Sequence, residues 1–85
     1  MQDYYVDKDE QTTGEHEVHA KHCNKLPFLV NRIHLGRFPD CMEALLKAAA
    51  FYDKVNGCKI CCIECYSREE HSSAERNFTD VKLKF

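Results

Sequence analysis

Residues 56–65 read NGCKICCIEC, and this stretch holds four of the six cysteines of the chain. Its first pair, Cys58 and Cys61, has the C-x2-C spacing at which two thiolates of one turn can bind the same metal ion. A second candidate pair lies upstream, where His19 and Cys23 form an H-x3-C motif. Four Cys and His ligands are typical of a closed, structural zinc site. The spacing therefore predicts one zinc ion bound by His19, Cys23, Cys58 and Cys61.

Two overlapping C-x2-C motifs leave the fourth ligand open. Cys62 and Cys65 repeat the spacing of the first pair, so either could take the place of Cys61. Cys65 is the better alternate ligand, because a residue one helical turn after Cys61 can return its side chain to the same side. Cys41 is predicted as a small buried residue, since free cysteine is commonly buried. Free thiols, or three disulfides of undefined connectivity, are the alternatives to metal binding.

The segments that precede the helix predict a small antiparallel sheet in an α+β domain. Tyr4–Val6 and His16–Lys21 predict the strands of an N-terminal hairpin, because a turn signal that includes Gly14 separates them. Asn31–Phe38 alternates polar and apolar residues and predicts a third strand, with a β-bulge at Gly36. The cysteine-rich stretch is then expected to form a knuckle at the C-terminal side of the domain.

One main helix is predicted from Asp40 to about Lys54. Asp40 and Glu43, three residues apart, resemble a capping box, and Asn56-Gly57 supplies a stop signal. Apolar residues at positions i, i+3, i+4 and i+7 predict one buried helix face. That face would consist of Met42, Leu45, Leu46 and Ala49.

The chain of 85 residues is long enough for one small domain. We assign residues 1–66 to the metal-binding domain and residues 67–85 to a polar C-terminal extension. Within the extension, Phe78–Phe85 alternates apolar residues with lysines and predicts an added edge strand. A domain of this size buries a modest core, so a metal ion is expected to supply part of its stability.

The order of these motifs resembles the metal-binding domain of the bacterial Ada DNA-repair protein and its small relatives. In that group a C-x3-C or H-x3-C pair precedes a strand and a helix containing Glu-Ala, which leads into C-x2-C. The resemblance spans roughly residues 3–66 and implies a small α+β zinc module. The opening YYV (4–6) and the run NGC (56–58) are also similar to a set of short uncharacterised bacterial proteins. The residues that match the Ada-like pattern are His19, Cys23, Phe38, Glu43, Ala44, Cys58 and Cys61.

The resemblance does not extend to the repair reaction. In the Ada domain a metal-bound cysteine of the first pair accepts a methyl group from a DNA phosphotriester. His19 stands at the matching position in this chain, and an imidazole cannot replace that thiolate. An Ada-like module without methyl-transfer activity is therefore implied.

These patterns favour a structural zinc module that acts as an interaction domain for a macromolecule such as a protein. Thiol redox chemistry at Cys58 and Cys61, or at Cys62 and Cys65, is an alternative. Reactive pairs of this kind begin a helix, whereas Gly57, directly before the first pair, is expected to end one. The chain is therefore predicted not to be an enzyme. Nucleic-acid binding is a further alternative, although the net charge of −2 argues against a strongly basic binder. It would use the basic residues Lys21, Lys25, Arg32 and Arg37.

The sequence also gives an expectation about location. No stretch is long and apolar enough to predict a membrane span, and Met1–Glu17 lacks the pattern of a signal peptide. We therefore expect a monomer in the cytoplasm without membrane contact. Reducing conditions there favour metal-bound cysteines over disulfides.

Overall fold

Four strands and one helix form the part of the chain that the computed structural model describes, residues 1–67. Short 3-10 turns lie at Leu29–Asn31 and Ile63–Cys65. No helix in this range is long and apolar enough to cross a lipid bilayer. The edge strand expected at Phe78–Phe85 lies outside the described residues. The elements are β1 (Gln2–Asp7), β2 (His16–Ala20), β3 (Arg32–Phe38), α1 (Cys41–Ala48) and β4 (Val55–Gly57).

The strands form one mixed sheet in the order β3-β1-β2-β4. β1 is antiparallel to both β2 and β3, whereas β4 is parallel to β2. The domain is therefore α+β, and the three predicted strands pair antiparallel as expected, but the fourth strand, β4, was not predicted and makes the sheet mixed. A parallel neighbour needs a crossover connection, and α1 supplies it by carrying the chain from β3 back along the sheet to β4.

The helix packs its small residues against one face of the sheet. Cys41, Ala44 and Ala48 are buried in the same cluster as Tyr4 and Val18 of the strands. Residues of this size let the helix axis approach the sheet closely. The core is consequently made of small side chains on the helix and mostly small or medium ones on the strands.

The predicted buried face of the helix was wrong by one position. Leu46 is 68% exposed and Met42 is also exposed, whereas the buried residues are Cys41, Ala44 and Ala48. The predicted and the observed buried residues both follow helical periodicity. The prediction chose the face with the larger apolar residues, which is in fact exposed. The side-chain oxygen of Asp40 accepts a hydrogen bond from the Glu43 amide at 3.1 Å, as expected for the residue that caps the helix. The helix nevertheless ends at Ala48 instead of continuing to Lys54.

A β-bulge in β3 confirms the expectation at Gly36. Tyr4 pairs with Gly36 and Tyr5 pairs with His34, so Leu35 is the extra residue of the bulge. Gly36 has a φ of +130°, a conformation that favours glycine. Because the bulge shifts the alternation, Leu35 is buried and Phe38 also packs against the core.

Candidate metal centre

The parallel pairing of β2 and β4 decides where the predicted ligands meet. Val18 is in register with Gly57, and the Cys58 amide donates a hydrogen bond to the Val18 carbonyl at 2.9 Å. Because parallel strands end at the same edge of a sheet, the residues that follow β2 and those that follow β4 lie side by side. Cys23 and Cys58 belong to these two segments, and His19 stands near the end of β2.

The structure brings the four predicted ligand residues together. One ligand atom from each lies within 4.8 Å of all the others. The Cys23 Sγ atom is 3.7 Å from His19 Nδ1 and 3.9 Å from Cys58 Sγ. In a tetrahedral site with ordinary zinc bonds, two sulfurs lie about 3.8 Å apart, and a sulfur and a nitrogen about 3.6 Å. We call this set the His/Cys cluster: His19, Cys23, Cys58 and Cys61.

Backbone amides donate hydrogen bonds to every sulfur of the His/Cys cluster. The Lys25 amide lies 3.4 Å from Cys23 Sγ, and the Ile60 amide lies 3.4 Å from Cys58 Sγ. In both cases the donor is the amide two residues after the cysteine, so the backbone makes a local turn around the sulfur. The Ala20 amide approaches the third sulfur, Cys61 Sγ, at 3.3 Å. Such donors stabilise negative charge on sulfur, so the surroundings suit metal-bound thiolates.

The imidazole of His19 is buried and faces the cluster with Nδ1. Burial lowers its pKa below the ordinary value, which favours the neutral ring. A neutral ring has one nitrogen free to bind a metal and carries its proton on the other. Its Nε2 atom is buried without a hydrogen-bond partner among the described residues. The nearest acidic atom is Glu17 Oε1 at 3.6 Å, beyond normal hydrogen-bond length.

Two thiols of the cysteine-rich segment differ from reactive cysteines in their pKa. Burial raises the pKa of Cys61, and a hydrogen bond with Cys23 adds to the effect. Burial also raises the pKa of Cys62 to about 11. Reactive cysteines instead have lowered pKa values. Cys61 and Cys62 therefore lack this feature of redox nucleophiles.

The alternate ligand Cys65 lies outside the His/Cys cluster. It forms a disulfide with Cys41, and the two Cα atoms are 6.6 Å apart. The 3-10 turn at Ile63–Cys65 directs Cys65 towards the start of α1, away from the metal-binding side. Cys62 is fully buried in the core and is also not part of the cluster. The prediction that Cys41 is buried is confirmed, but the residue is cross-linked instead of free.

Gly57 lets the cysteine-rich segment pack directly on the end of β4. A Cβ atom at this position would lie 2.8 Å from the Cys62 carbonyl oxygen and 2.9 Å from Cys65 Cβ. Overpacking of this kind typically costs about 1–3 kcal/mol. We therefore expect Gly57→Ala to lower the free energy of unfolding by about that amount in urea titrations.

Gly14→Ala is the matched control for this prediction. A Cβ atom at Gly14 meets nothing closer than 3.8 Å, so its cost is limited to the positive φ of +90°. If Gly57→Ala were no more destabilising than Gly14→Ala, the close packing on β4 would not be a constraint on the fold.

His16, His34 and Arg37 make their contacts outside the His/Cys cluster. His16 stacks on Tyr52 with ring centroids 3.6 Å apart, and His34 Nε2 lies 2.9 Å from an Asp3 carboxylate oxygen. Arg37, one of the basic residues expected to contact nucleic acid, also approaches Asp3, at 3.5 Å. Nucleic-acid binding stays a prediction.

Two residues beside the site were not identified as such from the sequence. Glu17 could have been found, because residues two apart on a strand share a face and Glu17 precedes His19 by two. Asn56 carried no such signal. Its side chain donates to the Ser67 carbonyl at 2.7 Å and accepts from the Ser67 amide at 2.9 Å, and so holds the chain that leaves the cysteine-rich segment.

Fold and site together define a small α+β domain with a His/Cys cluster that could hold a metal ion. Comparisons with protein-family models, with curated proteins and with solved structures found no match to this chain. The function therefore has to be argued from the site itself.

Proposed function

We propose that this chain is a zinc-binding module in which the metal has a structural role, and that the module is an interaction domain. The observation that carries the proposal is the convergence of four ligand atoms within 4.8 Å. They come from two segments separated by most of the domain. Three thiols and one imidazole in a tetrahedral arrangement are a donor set that suits zinc.

The donor set also supports a structural role for the ion. Catalytic zinc sites commonly have three protein ligands and leave one position for water or substrate. Here four protein side chains are available, and three of them are buried. An ion bound by all four has no free position in a tetrahedron. Its effect would be to join β2 and the segment after it to the segment after β4.

The composition of the core gives a reason why the domain needs such a cross-link. Full burial of a large aliphatic or aromatic side chain contributes about 1.5–3 kcal/mol. Among residues 1–67 the largest fully buried side chains include a histidine and two cysteines, and no leucine, isoleucine or phenylalanine. They are His19, Val6, Val18, Cys41 and Cys62. Metal binding would supply stability that this core lacks.

The test is the metal content of untagged protein purified without added chelator. We expect one equivalent of zinc in the wild type and in Cys62→Ala, and a large loss in Cys58→Ser. Cys62→Ala is the control, because Cys62 is a neighbouring buried thiol outside the His/Cys cluster and alanine places no hydroxyl in the core. A wild-type protein that is fully folded and contains no metal would refute the proposal.

Metal binding is expected to release protons, because cysteine binds zinc as the thiolate. Ordinary cysteine thiols have a pKa of about 8.5 and are mostly protonated at neutral pH, so their protons must leave when the metal enters. Protons compete with the metal, and the apparent zinc affinity should therefore fall as the pH is lowered. Calorimetry in buffers of different ionisation enthalpy measures the number of protons released. An affinity that is independent of pH would contradict thiolate ligation.

An exposed apolar turn supports the interaction role. Phe28, Leu29 and Val30 follow one another and are 82%, 73% and 72% exposed. Exposed apolar patches of this kind commonly mark protein-binding surfaces. The turn lies on the connection that begins at Cys23, so a metal bound at the His/Cys cluster would anchor it.

Site-specific photo-crosslinking in cells tests this role. A photoreactive residue at Leu29 should form a discrete cross-linked species, whereas the same residue at the exposed Glu43 of α1 should not. The Leu29 cross-link should also disappear in the Cys58→Ser background. Equal labelling at both positions would count against an interaction surface at the turn.

A further inference from the structure

The buried edge of the His19 ring is the feature that the proposed site leaves unexplained. Nε2 of His19 is inaccessible to solvent and has no hydrogen-bond partner among the described residues. A buried N–H group without a partner is costly. Nδ1 is the ring nitrogen that faces the cluster, since it lies 3.7 Å from Cys23 Sγ.

We propose that Glu17 is the positioning residue of the metal centre, accepting a hydrogen bond from the Nε2–H group of His19 when Nδ1 binds the ion. The proposal rests on the zinc-binding function proposed above. Histidine ligands usually donate their second ring N–H to a carboxylate or carbonyl, which fixes the tautomer and the orientation of the ring. Glu17 Oε1, 3.6 Å from Nε2, is the carboxylate oxygen that approaches it.

The strand geometry holds the two residues in this relation. Glu17 and His19 are two positions apart on β2, so their side chains leave the same face of the sheet. The backbone of Glu17 is fixed by its register with Asn56 of β4. The 3.6 Å separation of Oε1 from Nε2 exceeds a normal N–H···O hydrogen bond of about 3 Å by less than 1 Å.

The surroundings of Glu17 leave its carboxylate room to approach Nε2. Glu17 borders an open cleft of about 390 Å³, which is also lined by Glu15, Lys59 and Tyr66. The carboxylate is half-buried, so it is neither locked in the core nor free in solvent.

The experiment compares zinc affinity in Glu17→Ala, Glu17→Gln and Glu15→Ala by competition with a chromophoric chelator. Loss of an outer partner of this kind typically lowers metal affinity about 10–100-fold, which is the result expected for Glu17→Ala. Glu17→Gln should recover most of the affinity, because its amide oxygen can accept the same hydrogen bond. Glu15→Ala removes a carboxylate from the same cleft without touching His19 and should bind zinc like the wild type.

A second measurement keeps the proposal falsifiable if Glu17→Ala fails to fold. In zinc-loaded wild type, nitrogen-15 spectra should show His19 as the Nε2–H tautomer, with a downfield proton protected from exchange. In Glu17→Gln this proton should shift, because the acceptor has changed. An Nε2–H proton that exchanges freely in the wild type would overturn the assignment of Glu17, as would wild-type affinity in a folded Glu17→Ala. If the wild type itself binds no zinc, the proposed function fails instead.

Discussion

Removal of the metal from the wild-type protein is expected to unfold residues 1–67 cooperatively. Structural zinc sites contribute about 10–16 kcal/mol of apparent binding free energy at neutral pH. The whole stability of a small domain is commonly about 5–15 kcal/mol. The His/Cys cluster connects the end of β2 and the segment after it to the segment after β4, and β3 and α1 lie between them in sequence. Its loss would therefore release the segment after β4 from β2. Far-UV circular dichroism during titration with a strong chelator measures the transition.

Cys58→Ser should reproduce this unfolding in the presence of excess zinc, because it removes one ligand and one amide-bonded sulfur. Cys62→Ala is the control, since it removes a buried thiol that is not part of the His/Cys cluster. Readdition of zinc should refold the chelated wild type and leave Cys58→Ser unfolded. A wild type whose spectrum does not change after complete metal removal would show that the fold is independent of the ion.

Loss of the Cys41–Cys65 disulfide is expected to lower the free energy of unfolding by about 3 kcal/mol. The magnitude follows from the 24-residue separation of the two cysteines, since a cross-link restricts the unfolded chain more when it closes a longer loop. The variant is Cys41→Ala with Cys65→Ala, which avoids placing a hydroxyl in the core. Urea denaturation at saturating zinc measures the difference.

Mild reduction supplies the control for this second result. A reductant that opens the disulfide but leaves zinc bound should destabilise the wild type and leave the double alanine variant unchanged. Identical urea midpoints for the oxidised wild type and the variant would contradict a stabilising role. The disulfide also bears on the expected cytoplasmic location, because that expectation supposed reduced cysteines, and disulfides persist mainly in oxidising compartments.

The ligand set could be predicted because the C-x2-C and H-x3-C spacings describe local geometry. The pairing of Cys41 with Cys65 could not, since it depends on α1 and the 3-10 turn Ile63–Cys65 meeting in the fold. The spacing of Cys65 from Cys61 suggested a shared ligand role, but the 3-10 turn directs the side chain elsewhere. Motif spacing thus predicts which side chains can meet within one turn of the chain. It does not predict which distant turns come together in the fold.

The elements of the fold were predictable to different degrees for the same reason. β1, β2 and β3 carry enough residues to show alternation, whereas β4 is only three residues long and contains Asn56 and Gly57, which read as a stop signal. The helix face was misplaced because Met42 and Leu46 are larger than the alanines that in fact pack. The larger size of Met42 and Leu46 led the prediction to the wrong helix face, whereas close packing of the helix on the sheet requires the small residues.

The shared edge of β2 and β4 has a consequence for biosynthesis. Half of the His/Cys cluster follows β4, so a nascent chain that has left the ribosome only as far as α1 offers only His19 and Cys23 of the cluster. Two ligands hold zinc far less well than four. If the module binds zinc as proposed, metal capture has to wait until residues 58–61 have emerged, and translation then completes the sheet and the metal centre in the same step.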